Sequence, residues 1–193
     1  MLALLQTLNA DLLSHDSATL TLERWCAEHL LAQPARIVAR RVHEPAKPIP
    51  EELRVRLAID AVQPLNYRHV QLTCGEHVLS EADNWYVPSR LTADMNRRLE
   101  TTDEPFGKVV QALGFQRRTL TAQLLWSPLP AGWEMSAAAV EPEPLHMPKA
   151  MLRHEAILYT SDWLPFSAVV ETYTNELFDF GAWARYRVNE QER

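Results

Sequence analysis

Lysine is scarce in this chain of 193 residues: Lys47, Lys108 and Lys149 are three of its 19 basic residues. The cations are therefore mostly arginine, whose planar fork suits fixed recognition of carboxylates. Glycine is also scarce. The five glycines form no phosphate-cradling loop, which leaves nucleotide binding without a motif. There is no G-x-S-x-G elbow for a serine hydrolase. Two cysteines, Cys26 in a helical pattern and Cys74 near a hairpin turn, do not suggest a disulfide framework. No apolar run approaches the length a bilayer needs, so no membrane partner is expected. The apolar start MLALLQTLNADLL lacks the basic residues and cleavage site of a signal peptide, which makes the cytoplasm the expected location. A net charge of −6 gives no general attraction to nucleic acid. His69, Cys74 and His77 lack a fourth ligand and a fitting spacing, so no metal site is expected.

What is present suits one domain over 1–193, since 47% of the residues are hydrophobic and the length can bury a real core. Residues 1–33 read as a helical N-terminal part. Leu2, Leu5, Leu8 and Leu12 recur at helical spacing, and Asp16, Ser17, Thr19 and Thr21 offer caps for a second helix over LERWCAEHLLA. ARIVARRV reads as a strand, and HEPAKPIPEE, with three prolines, as a loop. LRVRLAIDAV reads as a second strand, with a helix as the alternative. Two alternating segments flank Gly75-Glu76 as a hairpin that Pro88 ends. SRLTADMNRRLE predicts a helix starting near Ser89 or Thr92. A shorter helix follows Pro105 and stops at Gly114. FQRRTLTAQLLW is a strand. Residues 127–149 hold five prolines among alanines and acids, a long excursion that is either a lid or disordered. A second hairpin, MLRHEAILYT and PFSAVVETYT, turns at Ser161-Asp162-Trp163. The fold class expected is α+β: a single antiparallel β-sheet with helices packed around it.

Strand alternation places charges on apolar faces. Arg68 shares a face with Val70 and Leu72, and Glu171 shares one with Val169 and Tyr173. A buried guanidinium needs an anionic partner, either a protein carboxylate or a ligand. Two readings follow. Arg68 and Glu171 form structural ion pairs with each other or with neighbours, or they face a bound molecule. The partner of Arg68 across its hairpin depends on the turn. A two-residue turn at Gly75-Glu76 sets Asp83 opposite it, and one extra residue sets Asn84 there instead.

YRHVQLTCGEHVLSEADNWYVPSRL, then EPFGKVV, then HEAILYTSDWLPFSAVVETY resembles the chorismate lyase family. The resemblance covers roughly the C-terminal two-thirds, with a weaker echo at SATLTLERW and PARIVARRV. It implies a cofactor-free elimination of pyruvate from chorismate, or from a related carboxylated ring, to leave 4-hydroxybenzoate. It also implies roles for residues. Arg68 matches the arginine that binds the ring carboxylate. Glu171 matches the carboxylate that would transfer protons near the breaking bond. Phe106, beside Gly107, stands where the family has a leucine whose N–H holds the product. Leu20 falls near a flap methionine. The family's second arginine is missing: Asp83-Asn84-Trp85 occupies its neighbourhood, with Asn84 as the substrate-facing candidate. A dianion would recruit another cation from Arg90, Arg118 or Arg153. The effector-sensing domains of some bacterial transcription regulators look similar in fold, so the alternative function is a non-catalytic domain that binds or senses a small aromatic carboxylate. A third reading is a structural protein in which Arg68 and an acid pair internally.

Overall fold

The computed structural model describes residues 1–60, 62–130, 132–135 and 146–180. The chain opens with helices α1 (Leu2–Ser14) and α2 (Ala18–Glu28). Leu5, Leu8 and Leu12 are the buried stripe of α1, as their spacing requires. α2 begins earlier than LERWCAEHLLA suggests. Ser17 caps it, its side chain accepting from the Leu20 N–H at 3.3 Å, and this fixes the first turn at Ala18.

Strand β1 (Ile37–Arg41) follows, then the proline-rich loop, then helix α3 (Glu51–Arg56). Here the expected strand is corrected to its alternative. Leu53 and Leu57 are buried while Val55, between them, is 67% exposed. A strand would have turned Val55 inward with both leucines, whereas a helix aligns only residues four apart. Glu51 and Glu52 in its first turn and Arg54 and Arg56 in its last complement the helix dipole.

The first hairpin is β2 (Asn66–Cys74) and β3 (His77–Tyr86), turning at Gly75, whose φ of +59° a side chain would resist. Helices α4 (Ala93–Thr101) and α5 (Phe106–Val109) lead into β4 (Gln116–Leu124). Thr92 caps α4, and Gly114, at φ +55°, ends the segment after α5. The second hairpin is β5 (Ala150–Tyr159) and β6 (Pro165–Thr174). All neighbours pair antiparallel, in the order β1-β2-β3-β6-β5-β4. The excursion at 127–149, proposed as a lid or a disordered stretch, has its middle outside the described residues, as does the chain after 180.

The two faces of the sheet carry different cores. On one, Val70, Leu72, Ala82 and Tyr173 pack under the leucines of α1 and α2. On the other, Trp85, Ile157, Ala168 and Val170 meet Ile49, Leu53 and Leu57. A third cluster, with Tyr86, Met95, Leu99, Val109 and Phe166, fills the end under α4 and α5. The expectation of no disulfide is overturned. Cys26 and Cys74 are bonded and fully buried, because α2 crosses the sheet above the end of β2 and lowers Cys26 onto Cys74.

Candidate functional site

The site grows from the centre of the helix-covered face. Arg68 lies opposite Asn84, not Asp83, because the β2–β3 register shifts between Leu72 and Thr73. That one-residue slip decides the faces. Asp83 turns to the other side, where it accepts from the Tyr67 hydroxyl at 2.5 Å and from Lys47 at 2.9 Å. Asn84 stays inside at 4% exposure and accepts from the Ser167 hydroxyl at 3.2 Å.

Arg68 is 6% exposed. Among the described residues it donates to backbone carbonyls only, Glu104 at 3.0 Å and Thr102 at 3.3 Å, and its buried Nε–H has no partner. Among the described residues it makes no ion pair. Burial, and then the neighbouring Arg41, push its pKa down to about 10.

Glu171 is also buried, at 6% exposure, on β6. Its partner is neither Arg68 nor any of the arginines named as substitutes. Arg117 of β4 donates to its Oε2 at 2.6 Å, and the Tyr173 hydroxyl donates to the same oxygen at 3.0 Å. The sequence does not single out Arg117 from Arg118, because no local turn fixes the β4 register. Its only sequence signal is alternation with Thr119. Burial works against its charge, but Glu171 and then Tyr173 outweigh that and hold its pKa above the ordinary arginine value. Arg118 is exposed, Arg153 pairs with Glu155 at 2.9 Å, and Arg90 donates to the carbonyls of Leu57, Ala58 and Pro165.

Arg68, Asn84, Phe106, Gly107, Arg117 and Glu171 line one cavity of about 50 Å³, with Asp16 to Thr19 at the start of α2 closing it. The structure thus gathers five of the six residues singled out from sequence. The sixth, Leu20, is 40% exposed and lies outside that wall. Arg68 and Arg117 are balanced by Glu171 and Asp16, so the wall is neutral overall. Asp16 ties the closing segment down by accepting from the Arg117 N–H at 2.8 Å. Gly107 is needed by contact: a Cβ there would stand 3.0 Å from Ser17 Oγ and 3.4 Å from Thr19 Oγ1. The present volume suits a water molecule, and a ring-sized guest requires α2 and α5 to part. His154 adjoins the network. It lies opposite Glu171 across β5–β6, and its Nε2 hydrogen-bonds Asn9 at 2.8 Å.

Among the described residues no cluster of three or more His, Cys, Asp or Glu is placed to hold a metal, and no helix is long and apolar enough to cross a membrane.

No family model matches the chain. It is 55% identical over 184 residues to the uncharacterized protein y4mC of Sinorhizobium fredii, covering 94% of this chain and 78% of that one. The effector domain of PhnF from Mycobacterium smegmatis is similar in structure, with TM-score 0.51, 11% identity, and coverage of 83% of this chain and 90% of the domain. Full PhnF gives TM-score 0.50 and 11% identity, covering 84% of this chain and 65% of PhnF. The possible transcriptional regulator YydK from Bacillus subtilis gives TM-score 0.45 and 14% identity over 73% of this chain. This chain spans 59% of the length of YydK. The antiparallel sheet with helices around it is therefore similar in fold to that effector domain, in keeping with the chorismate lyase-like fold expected from the sequence. The chain belongs to the family of the Sinorhizobium protein y4mC.

Proposed function

We propose that this domain binds a small carboxylate-bearing molecule between the sheet and the α2 and α5 segments, and that it senses this molecule without converting it. The observation that carries the reading is Arg68: a buried guanidinium that among the described residues has an unpaired Nε–H and no carboxylate partner, and that stands in a cavity wall. An unpaired buried donor is costly, and an incoming carboxylate offsets that cost. The likeness in fold to the PhnF effector domain supports the same reading.

A second reading is favoured by one observation: Glu171 stands in the same wall, where a chorismate lyase-like reaction would use a proton-transfer group. Its geometry argues for the binder. The carboxylate accepts from Arg117 and from Tyr173 at the same oxygen, so it is already engaged by protein donors within the fold.

The test adds 4-hydroxybenzoate and then chorismate to the protein. Thermal stabilisation by 4-hydroxybenzoate is expected, with chorismate unconverted by absorbance. Replacing Arg68 by Gln should weaken binding about tenfold to a hundredfold, the loss of a charge-assisted contact. Growth of 4-hydroxybenzoate from chorismate establishes the lyase instead. No stabilisation by either compound leaves Arg68 as a structural residue and overturns the proposal.

A further inference from the structure

Arg68 stands in a second wall as well. An open pocket of about 680 Å³ lies between the end of β1, the start of β2 and the end of α4, and is lined by Arg41, Arg68, Asn66, Tyr86, Glu100 and Glu44 among others. Its volume falls in the range of small-molecule sites.

Two guanidiniums meet here with no carboxylate on either among the described residues. Arg41 donates to the Glu100 carbonyl and Arg68 to the carbonyls of Thr102 and Glu104. Neither Glu104 nor Asp103 forms an ion pair with them. The Glu104 carboxylate is held by Arg98 at 2.5 Å, and Asp103 is exposed. Two cations served only by carbonyl oxygens repel each other, and an oxyanion between them removes that repulsion. The rest of the wall has the opposite character. The Glu100 carboxylate accepts from Asn66 at 3.4 Å, the same amide reaches the Tyr86 hydroxyl at 3.4 Å, and Glu44 lies 3.3 Å from His69 Nδ1. These carboxylates would repel a bare dianion and attract a hydrogen-bond donor.

We infer that the open pocket is a separate binding site for a compact oxyanion that also carries an ammonium or hydroxyl group. The anion sits between Arg41 and Arg68, and the donor end faces Glu100 and Glu44. The site is distinct from the closed cavity, although the two share one arginine. Arg68 belongs to both walls, but Arg41 and Glu100 belong to the open pocket alone.

The experiment titrates the full chain with inorganic phosphate, propionate and β-alanine, followed by amide chemical shifts at the end of β1 and the start of β2. The last two probes share a three-carbon carboxylate, and β-alanine adds an ammonium. Saturable shifts are expected with all three probes, phosphate binding most weakly because Glu100 and Glu44 oppose its second charge, and β-alanine binding more tightly than propionate. Arg41→Gln should weaken all three about tenfold, ~1.4 kcal/mol, and leave the response to 4-hydroxybenzoate unchanged. Glu100→Gln should erase the advantage of β-alanine over propionate and strengthen phosphate binding by removing a repelling carboxylate. Shifts that are unchanged in Arg41→Gln, or that do not saturate in the wild type, overturn the site. Equal affinity for propionate and β-alanine overturns the assignment of the donor end. Failure of 4-hydroxybenzoate to bind bears only on the closed cavity.

Discussion

Arg117 and Glu171 both left water to meet at 2.6 Å, with side chains 4% and 8% exposed. Such a pair roughly recovers its desolvation cost, so its presence adds little stability, but removing one partner strands a buried charge. Glu171→Gln should therefore destabilise the fold by about 3 kcal/mol, while the double change Arg117→Met with Glu171→Met should cost clearly less. Denaturant unfolding of the two variants decides it: an unperturbed Glu171→Gln would show that the carboxylate has no structural role. His154, beside this pair, ties the fold to pH. Burial chiefly, and Arg117 in addition, outweigh the pull of Glu171 and lower it from 6.5 to about 4. Between those values the unfolded chain holds the extra proton. Stability from this group is therefore complete above about pH 6.5, declines as pH falls, and declines no further below about pH 4. His154→Gln, which keeps a polar group facing Asn9, should flatten that slope in a series of melts. Strand parity was enough to place Arg68 and Glu171 inward. Their partners were not legible, because pairing depends on registers that side-chain alternation does not set.

At the level of elements, the closed cavity depends on how tightly α5 sits on the start of α2. Gly107 allows that approach, and the atom a new Cβ would meet is Ser17 Oγ, which is already committed to capping α2. Ser17 can give way only by weakening its cap. Gly107→Ala should then cost about 1–2 kcal/mol, through crowding and a loosened first turn of α2. Adding Ser17→Gly should return part of that loss, since glycine is a tolerable cap and leaves room for the methyl group. Losses that simply add in a double-mutant cycle would refute the contact. The strands, the capped helices and both hairpins could be read from alternation, cap residues and turn residues. Two elements could not. α3 carries only Leu53 and Leu57 as its buried stripe, too short for helical and strand periods to differ. The slip at Leu72/Thr73 has no residue signature, yet it exchanges Asp83 for Asn84 opposite Arg68.

Across the whole molecule, the helical layer and the sheet are distant in sequence and joined covalently. The Cys26–Cys74 bond closes a separation of 48 residues and fixes α2 to the strand that bears Arg68. One link therefore holds both the floor of the closed cavity and the segment that covers it. In the unfolded chain that link removes loop-closure entropy, which for a loop of this size corresponds to about 3–4 kcal/mol. In the native state its loss leaves α2 held by apolar packing and its cap. The variant Cys26→Ala with Cys74→Ala should lose roughly that amount in denaturant unfolding. The loss should also be uneven: amides of Ala18–Glu28 should lose hydrogen-exchange protection before those of β2 and β3. Binding of 4-hydroxybenzoate should weaken in step, because a looser α2 leaves the cavity wall less organised, whereas phosphate binding at the open pocket, which α2 does not line, should persist. Uniform loss of protection across helix and sheet would show that the layers unfold as one unit, and would remove α2 as the movable cover of the site.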